Sequence, residues 1–246
     1  MNKTRKTMIK NLKLIIACVI LLLLPINQLL ASDYIDKNTG VSFVWKDEKL
    51  NKIKQRNIET SEISSKNRRR LVRVIKNELK KYPKESIKAV LDTVYLVKGI
   101  KINHSKVSGL AHPRAIILGQ AGKHNIRKVA HHEIAHLFYR HYNFPYKKEW
   151  TALNPKGFKY VGSGLKAIES GYSKQRLGRK SVEEGFISTY ARSSVEEDFA
   201  EVAEALFTGN SSIRNKIRNN KTLAAKADIV RKFYKSISPK ILKEMH

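Results

Sequence analysis

The pentad His132-Glu133-Ile134-Ala135-His136 constrains this chain more than any other feature. Imidazoles four residues apart share a face when the backbone is α-helical, because positions i and i+4 stack one turn apart. Both rings can then reach one ion, at roughly 2.0–2.1 Å for zinc. The fold therefore needs a helix through this segment, open space over its histidine face, and a further ligand carried by another element. Glu133 leans over the open side, where a carboxylate can take a proton from a metal-activated water. The single cysteine, Cys18, lies in an apolar N-terminal run, so the donors are restricted to histidines and carboxylates.

The surrounding pattern supplies the helix and its neighbours. Asn125 is placed to cap a helix from Ile126 to about Tyr142, with Ile126, Val129, Ala130, Glu133 and Leu137 on one side. Upstream, Leu71, Val72, Val74, Ile75 and Leu79 recur at helical spacing between Ser65 and Tyr82, and Pro83 ends that helix. A short helix from Lys84 to Leu91 follows. The run Thr93 to Ile102 then reads as one strand and Arg114 to Gly119 as another, with a further short strand at Val41 to Trp45. Six of the twelve glycines fall between Pro145 and Ser188, so regular structure there is expected to be sparse. Helices resume with the stripe Val195, Phe199, Val202, Ala203 and Leu206, stopped by Gly209 and Asn210, and with Leu223 to Tyr234.

The third ligand cannot follow the pattern of a third histidine six residues beyond the second, because Tyr139 and Tyr142 occupy the glycine and histidine positions. His141 lies five residues past His136, about 140° around an ideal helix, and is poorly aimed. The better supply is Tyr190-Ala-Arg-Ser-Ser-Val-Glu196-Glu197-Asp198-Phe199-Ala200-Glu201. There Ser194 can cap a helix whose residues Glu197, Glu201 and Glu204 share a face. Glu197 is the expected ligand and Glu196 its closest rival, with Glu149 and Glu169 behind. Glu201 is suited to accept the outer ring N–H of a ligand histidine.

Taken with the pentad, the residues Tyr190-Ala191-Arg192 and Glu197-Asp198-Phe199-Ala200-Glu201 resemble the catalytic domain of the glutamate zincins typified by anthrax lethal factor and Pro-Pro endopeptidase. The resemblance runs from about Arg114 to Leu206. It implies one zinc per chain held by His132, His136 and Glu197, with Glu133 as general base. It also implies Tyr190 as hydrogen-bond donor to the oxyanion and Glu201 as support for a ligand histidine. The implied fold is α+β, a small sheet from Thr93 to Leu118 packed on the motif helix and followed by a mainly helical half. An edge strand of such a fold pairs with an extended peptide, and Ile116, Ile117 and Leu118 are the expected substrate-binding positions. Two departures bear on pocket shape: Asp198 stands where an aromatic residue is frequent, and a glycine-bearing insert lengthens the spacing from His136 to Glu197.

At the N-terminus, Lys3, Arg5, Lys6, Lys10 and Lys13 precede the apolar run Leu14 to Leu24, the pattern of an export signal or, if retained, an anchor over residues 12–31. The expected organisation is a leader over 1–31, a lead-in arm over 32–60 and a zincin-like peptidase domain over 61–246, secreted or held at the cell envelope. The formal charge of +28 favours anionic envelope polymers or membrane surfaces. Its cations are scattered without the aromatic interleaving of a nucleic-acid platform, and no specific nucleic-acid partner is expected. Two other readings remain compatible with the sequence: a non-catalytic basic envelope-binding protein, and a zinc amidase acting on cell-wall peptides.

Overall fold

The computed structural model describes residues 33–45, 58–120, 123–162, 166, 179–209 and 211–245. The expected leader, Cys18 and Glu169 lie outside them. The chain divides into a unit of residues 1–34 and a unit of residues 35–246. A short strand, β1 (Asp33–Ile35), spans the join in the sequence.

In the second unit, one sheet runs in the order β2 (Ser42–Val44), β4 (Thr93–Val97), β8 (Ala115–Gly119), β7 (Gly109–His112). The first three strands are parallel, and β7 is antiparallel to β8. Parallel strands covered on both faces are apolar throughout, as are Val94–Val97 and Ala115–Leu118, all buried. A second, antiparallel sheet runs β3 (Ile58–Ser61), β5 (Gly99–Ile102), β6 (Ser105–Val107). The expected single strand Thr93 to Ile102 is therefore two, in different sheets. The exposed Lys98 interrupts the apolar run, and its amide bonds Ser61 O at 2.8 Å, where the chain leaves one sheet for the other. The stretch expected as a lead-in arm contributes β2 and the start of β3, and buries Val41, Phe43 and Trp45.

The helices are α1 (Ser65–Leu79), α2 (Lys84–Val90), α3 (Lys123–His141), α4 (Lys147–Ala152), α5 (Arg179–Glu183), α6 (Val195–Thr208), α7 (Ser211–Asn219) and α8 (Lys221–Ile237). The architecture is α+β, as expected. The helix α3 carries the histidine pentad and is central, touching β7 and β8 on one side and α1 and α6 on others. That is why Ile126, Ala130, Ile134, Ala135, Leu137 and Phe138 are all buried and no single apolar stripe suffices. Asn125 lies inside its first turn and so does not act as the expected cap. Packing of α3, α6 and α8 is dominated by aromatic rings, with Phe199 4.8 Å from Phe144 and 5.4 Å from both Tyr139 and Phe233 between ring centres. Behind α3, buried His131 bonds the Tyr82 hydroxyl (2.7 Å) and the Glu78 carboxylate (3.0 Å), fastening α1 and the turn after it to the motif helix.

Candidate metal centre

The sequence Ser194-Val195-Glu196-Glu197 starts α6 as a capped helix: Ser194 Oγ accepts the amide of Glu197 at 3.1 Å. Glu197 does not complete the reciprocal bond to Ser194; its carboxylate turns instead toward α3. Its Oε2 lies 3.1 Å from His132 Nε2 and 3.3 Å from His136 Nε2, and the two Nε2 atoms are 3.2 Å apart. Ligand atoms at about 2.0–2.1 Å around a tetrahedral centre are separated by about 3.3–3.4 Å, so this triangle has the dimensions of one face of such a site. Two imidazoles and one carboxylate are also a donor set that suits zinc.

The electrostatics favour a cation at that point. Burial alone would lower the His132 pKa, but the hydrogen bond and charge of Glu197, aided by Glu133 and Glu201, push it up to about 10. Against the same burial penalty, His136 is raised by the charge of Glu197 and by hydrogen bonds to Glu196 and Glu197. Burial opposes ionisation of Glu197, yet the two imidazoles hold its carboxyl well below the usual range, so it stands as an anion.

Around this triangle the structure gathers the other expected groups. Glu133 is buried at 7% exposure beneath β7, and burial raises its pKa while the two imidazoles act against that rise. Gly109 is what makes room for it: a Cβ there would stand 2.5 Å from both Glu133 Oε1 and Val129 Cγ1. Tyr190 sits in a 3₁₀ turn, its ring 6.2 Å from that of His132, and the Glu197 carboxylate is among the charges that bear on its hydroxyl. Burial and the neighbouring carboxylates keep that phenol protonated far above its ordinary range. Glu201 and Glu204 both lie beside His132, each offering a carboxylate oxygen within 4.8 Å of a His132 ring nitrogen, and Glu204 Oε2 approaches His132 Nδ1 to 3.8 Å. Burial and the charge of Glu201 push the Glu204 pKa up to about 7.

The alternative donors lie apart from the triangle, and one expectation is corrected. Glu196 faces away from the triangle, with Oε1 2.9 Å from His136 Nδ1 and 2.6 Å from Arg140 Nε. Glu149 lies on α4 and pairs with Lys232 at 3.4 Å. His141 stacks edge-on against Tyr142, ring centres 4.7 Å apart. Ile116, Ile117 and Leu118 are not at an edge: β8 pairs with β4 on one side and β7 on the other, and these side chains are at most 1% exposed. The strand bordering the site is β7. A cleft of about 560 Å³ over the triangle is lined by Gly109, Leu110, Ala111, Arg140 and Tyr190, and a second of about 780 Å³ continues past Gly109 to Ser188, Glu201 and Glu204. Sequence reasoning missed Gly109 and Arg140. Glu204 was visible as the third member of the carboxylate face, and Arg140 lies one helical turn beyond His136.

A model of the protein family described as "Putative zinc-binding metallo-peptidase" matches residues 80–238, more than half of the chain, including every residue of the triangle. The crystal structure of a protein of the same description from Bacteroides caccae ATCC 43185 superposes with a TM-score of 0.58 at 16% identity, over 89% of this chain and 90% of that one. This likeness speaks for the fold. Among curated proteins, none matches.

Proposed function

Since the chain belongs to this zinc-binding metallopeptidase family, we propose that it is an exported endopeptidase whose zinc is held by His132, His136 and Glu197. The observation that carries this reading is the triangle of donor atoms, 3.1–3.3 Å on each side, contributed by two helices. When bound, zinc would supply the Lewis acidity that activates water and polarises a peptide carbonyl. Glu133 takes the proton from the attacking water and delivers it to the departing amine. Tyr190 turns its hydroxyl to the carbonyl oxygen as negative charge builds there. This division of labour is that of the glutamate zincins that the two motifs resemble. The N-terminal cations and apolar run support export.

The edge of β7 would hold an extended substrate. Ser108 O accepts the amide of Gly119, and the antiparallel register pairs Leu110 with Ile117 and His112 with Ala115. Alternation therefore turns the backbone groups of Gly109 and Ala111 outward, to the cleft. Room on both sides of Glu133 favours cleavage within a chain over trimming of its ends. Gly109→Val is expected to lower peptide hydrolysis by roughly 10²-fold by displacing Glu133, with zinc content unchanged. Hydrolysis rates on a mixed peptide library, beside metal analysis, check this.

The metal assignment is tested by the zinc content of the purified chain after dialysis against metal-free buffer. One zinc per chain is expected, and its loss in Glu197→Ala. A folded wild-type chain that holds no zinc sinks the proposal, and zinc retained by the variant removes Glu197 from the ligand set.

A further inference from the structure

Arg140 lies in the last turn of α3, four residues beyond His136. Its side chain makes two contacts at once. Nε donates to Glu196 Oε1 at 2.6 Å, and that same oxygen is 2.9 Å from His136 Nδ1. The Nη1 group donates to the carbonyl of Ala111 at 3.2 Å, on the outward-facing side of β7. One guanidinium thus ties the outer edge of β7, a carboxylate in the first turn of α6, and the imidazole of an expected metal ligand into a single chain of hydrogen bonds. A cation at the end of α3 and an anion at the start of α6 each also suit their helix dipole.

We infer that Arg140 is a positioning residue for the metal site, acting on His136 through Glu196 and anchored by the edge strand at Ala111. The inference rests on the proposed role of His136 as a ligand. An imidazole that must present Nε2 to an ion is fixed in tautomer and orientation by what its Nδ1–H donates to. Glu196 is that acceptor, and it is partly open to solvent, so without a second contact its carboxylate would be free to rotate away. The planar fork of arginine supplies the contact from Nε while Nη1 holds Ala111. The single nitrogen of a lysine has no such fork with which to hold both at this geometry. The Ala111 carbonyl is thereby taken from the outer edge of β7, which among the described residues leaves Gly109 as the residue of β7 with both outward groups facing the cleft.

The test is a zinc-affinity cycle on the full chain, read by competition with a chromophoric chelator, with thermal melts of each variant as the control for folding. Glu196→Ala is expected to weaken zinc binding by about 10- to 100-fold, the usual cost of losing an outer partner of a ligand histidine, and Arg140→Gln by about tenfold. The double variant should be no weaker than Glu196→Ala alone, because Arg140 acts through Glu196. Arg140→Lys should recover only part of the loss. Additive losses, or an unchanged zinc affinity in Arg140→Gln beside a lowered melting temperature, would overturn the inference and leave Arg140 a structural clamp. A wild-type chain without zinc instead fails the proposed function itself.

Discussion

Replacing Glu133 by glutamine is expected to lower the rate of peptide hydrolysis by about 10²- to 10⁴-fold, the usual worth of a general acid–base group, while the chain keeps its zinc. The amide has the shape of the carboxyl group and fits the same space under Gly109, where even a methyl group would collide with it. Packing is thus conserved and proton transfer is not. Zinc should stay because Glu133 contributes none of the three convergent atoms, which belong to His132, His136 and Glu197. Single-turnover hydrolysis of a peptide library, with metal analysis on the same preparation, separates the two effects. Wild-type rates in the variant would remove Glu133 from the chemistry. Loss of zinc would mean that its carboxylate belongs to the ligand set.

The parts of this site that were legible in the sequence obey local rules. An i, i+4 pair on a helix needs no knowledge of the rest of the fold, and Ser194 with Glu197 marks a helix start wherever it lies. The edge strand was misplaced for an equally physical reason. Ala115–Leu118 is the stronger strand signal, but a run apolar at every position belongs inside a sheet covered on both faces, whereas edges are short and weakly apolar. Gly109-Leu-Ala-His112 is of the second kind, and carries little strand propensity of its own. The reversal of Glu196 from rival ligand to partner of His136 and Arg140 was not legible, since adjacent residues on a helix diverge by about 100° and the facing helix decides which one meets the metal.

Asp198, read in the sequence as a departure from its relatives, predicts the largest change in stability. It is the residue after the expected ligand Glu197, is fully buried, and pairs with the equally buried Lys226 of α8 at 2.6 Å. The signal was present: Lys226 falls on the apolar stripe of Leu223, Ala227, Val230 and Phe233. One oxygen of Asp198 also accepts Trp150 Nε1 (2.9 Å) and the Tyr160 hydroxyl (2.8 Å), so it joins α6, α8, α4 and the segment after α4. Lys226 has a second acceptor in Gly185 O at 3.0 Å and lies 4.0 Å over the ring of Phe186. Taking two charges out of water is costly, and their attraction offsets that cost only while both remain. Lys226→Met is therefore expected to destabilise the chain by about 3–5 kcal/mol, lowering Tm by roughly 10 °C in a unit of this size. Asp198→Ala should cost more, because it takes the acceptor from Trp150, Tyr160 and Lys226 at once and leaves the Lys226 charge buried without its partner. The double variant Asp198→Asn with Lys226→Met should recover much of the loss, since the amide oxygen still serves Trp150 and Tyr160 and no unpaired charge remains. Urea melts of the four proteins decide the matter: equal stability of wild type and Lys226→Met would show that the pair is not the fastening that holds α6, and with it Glu197, against the rest of the core.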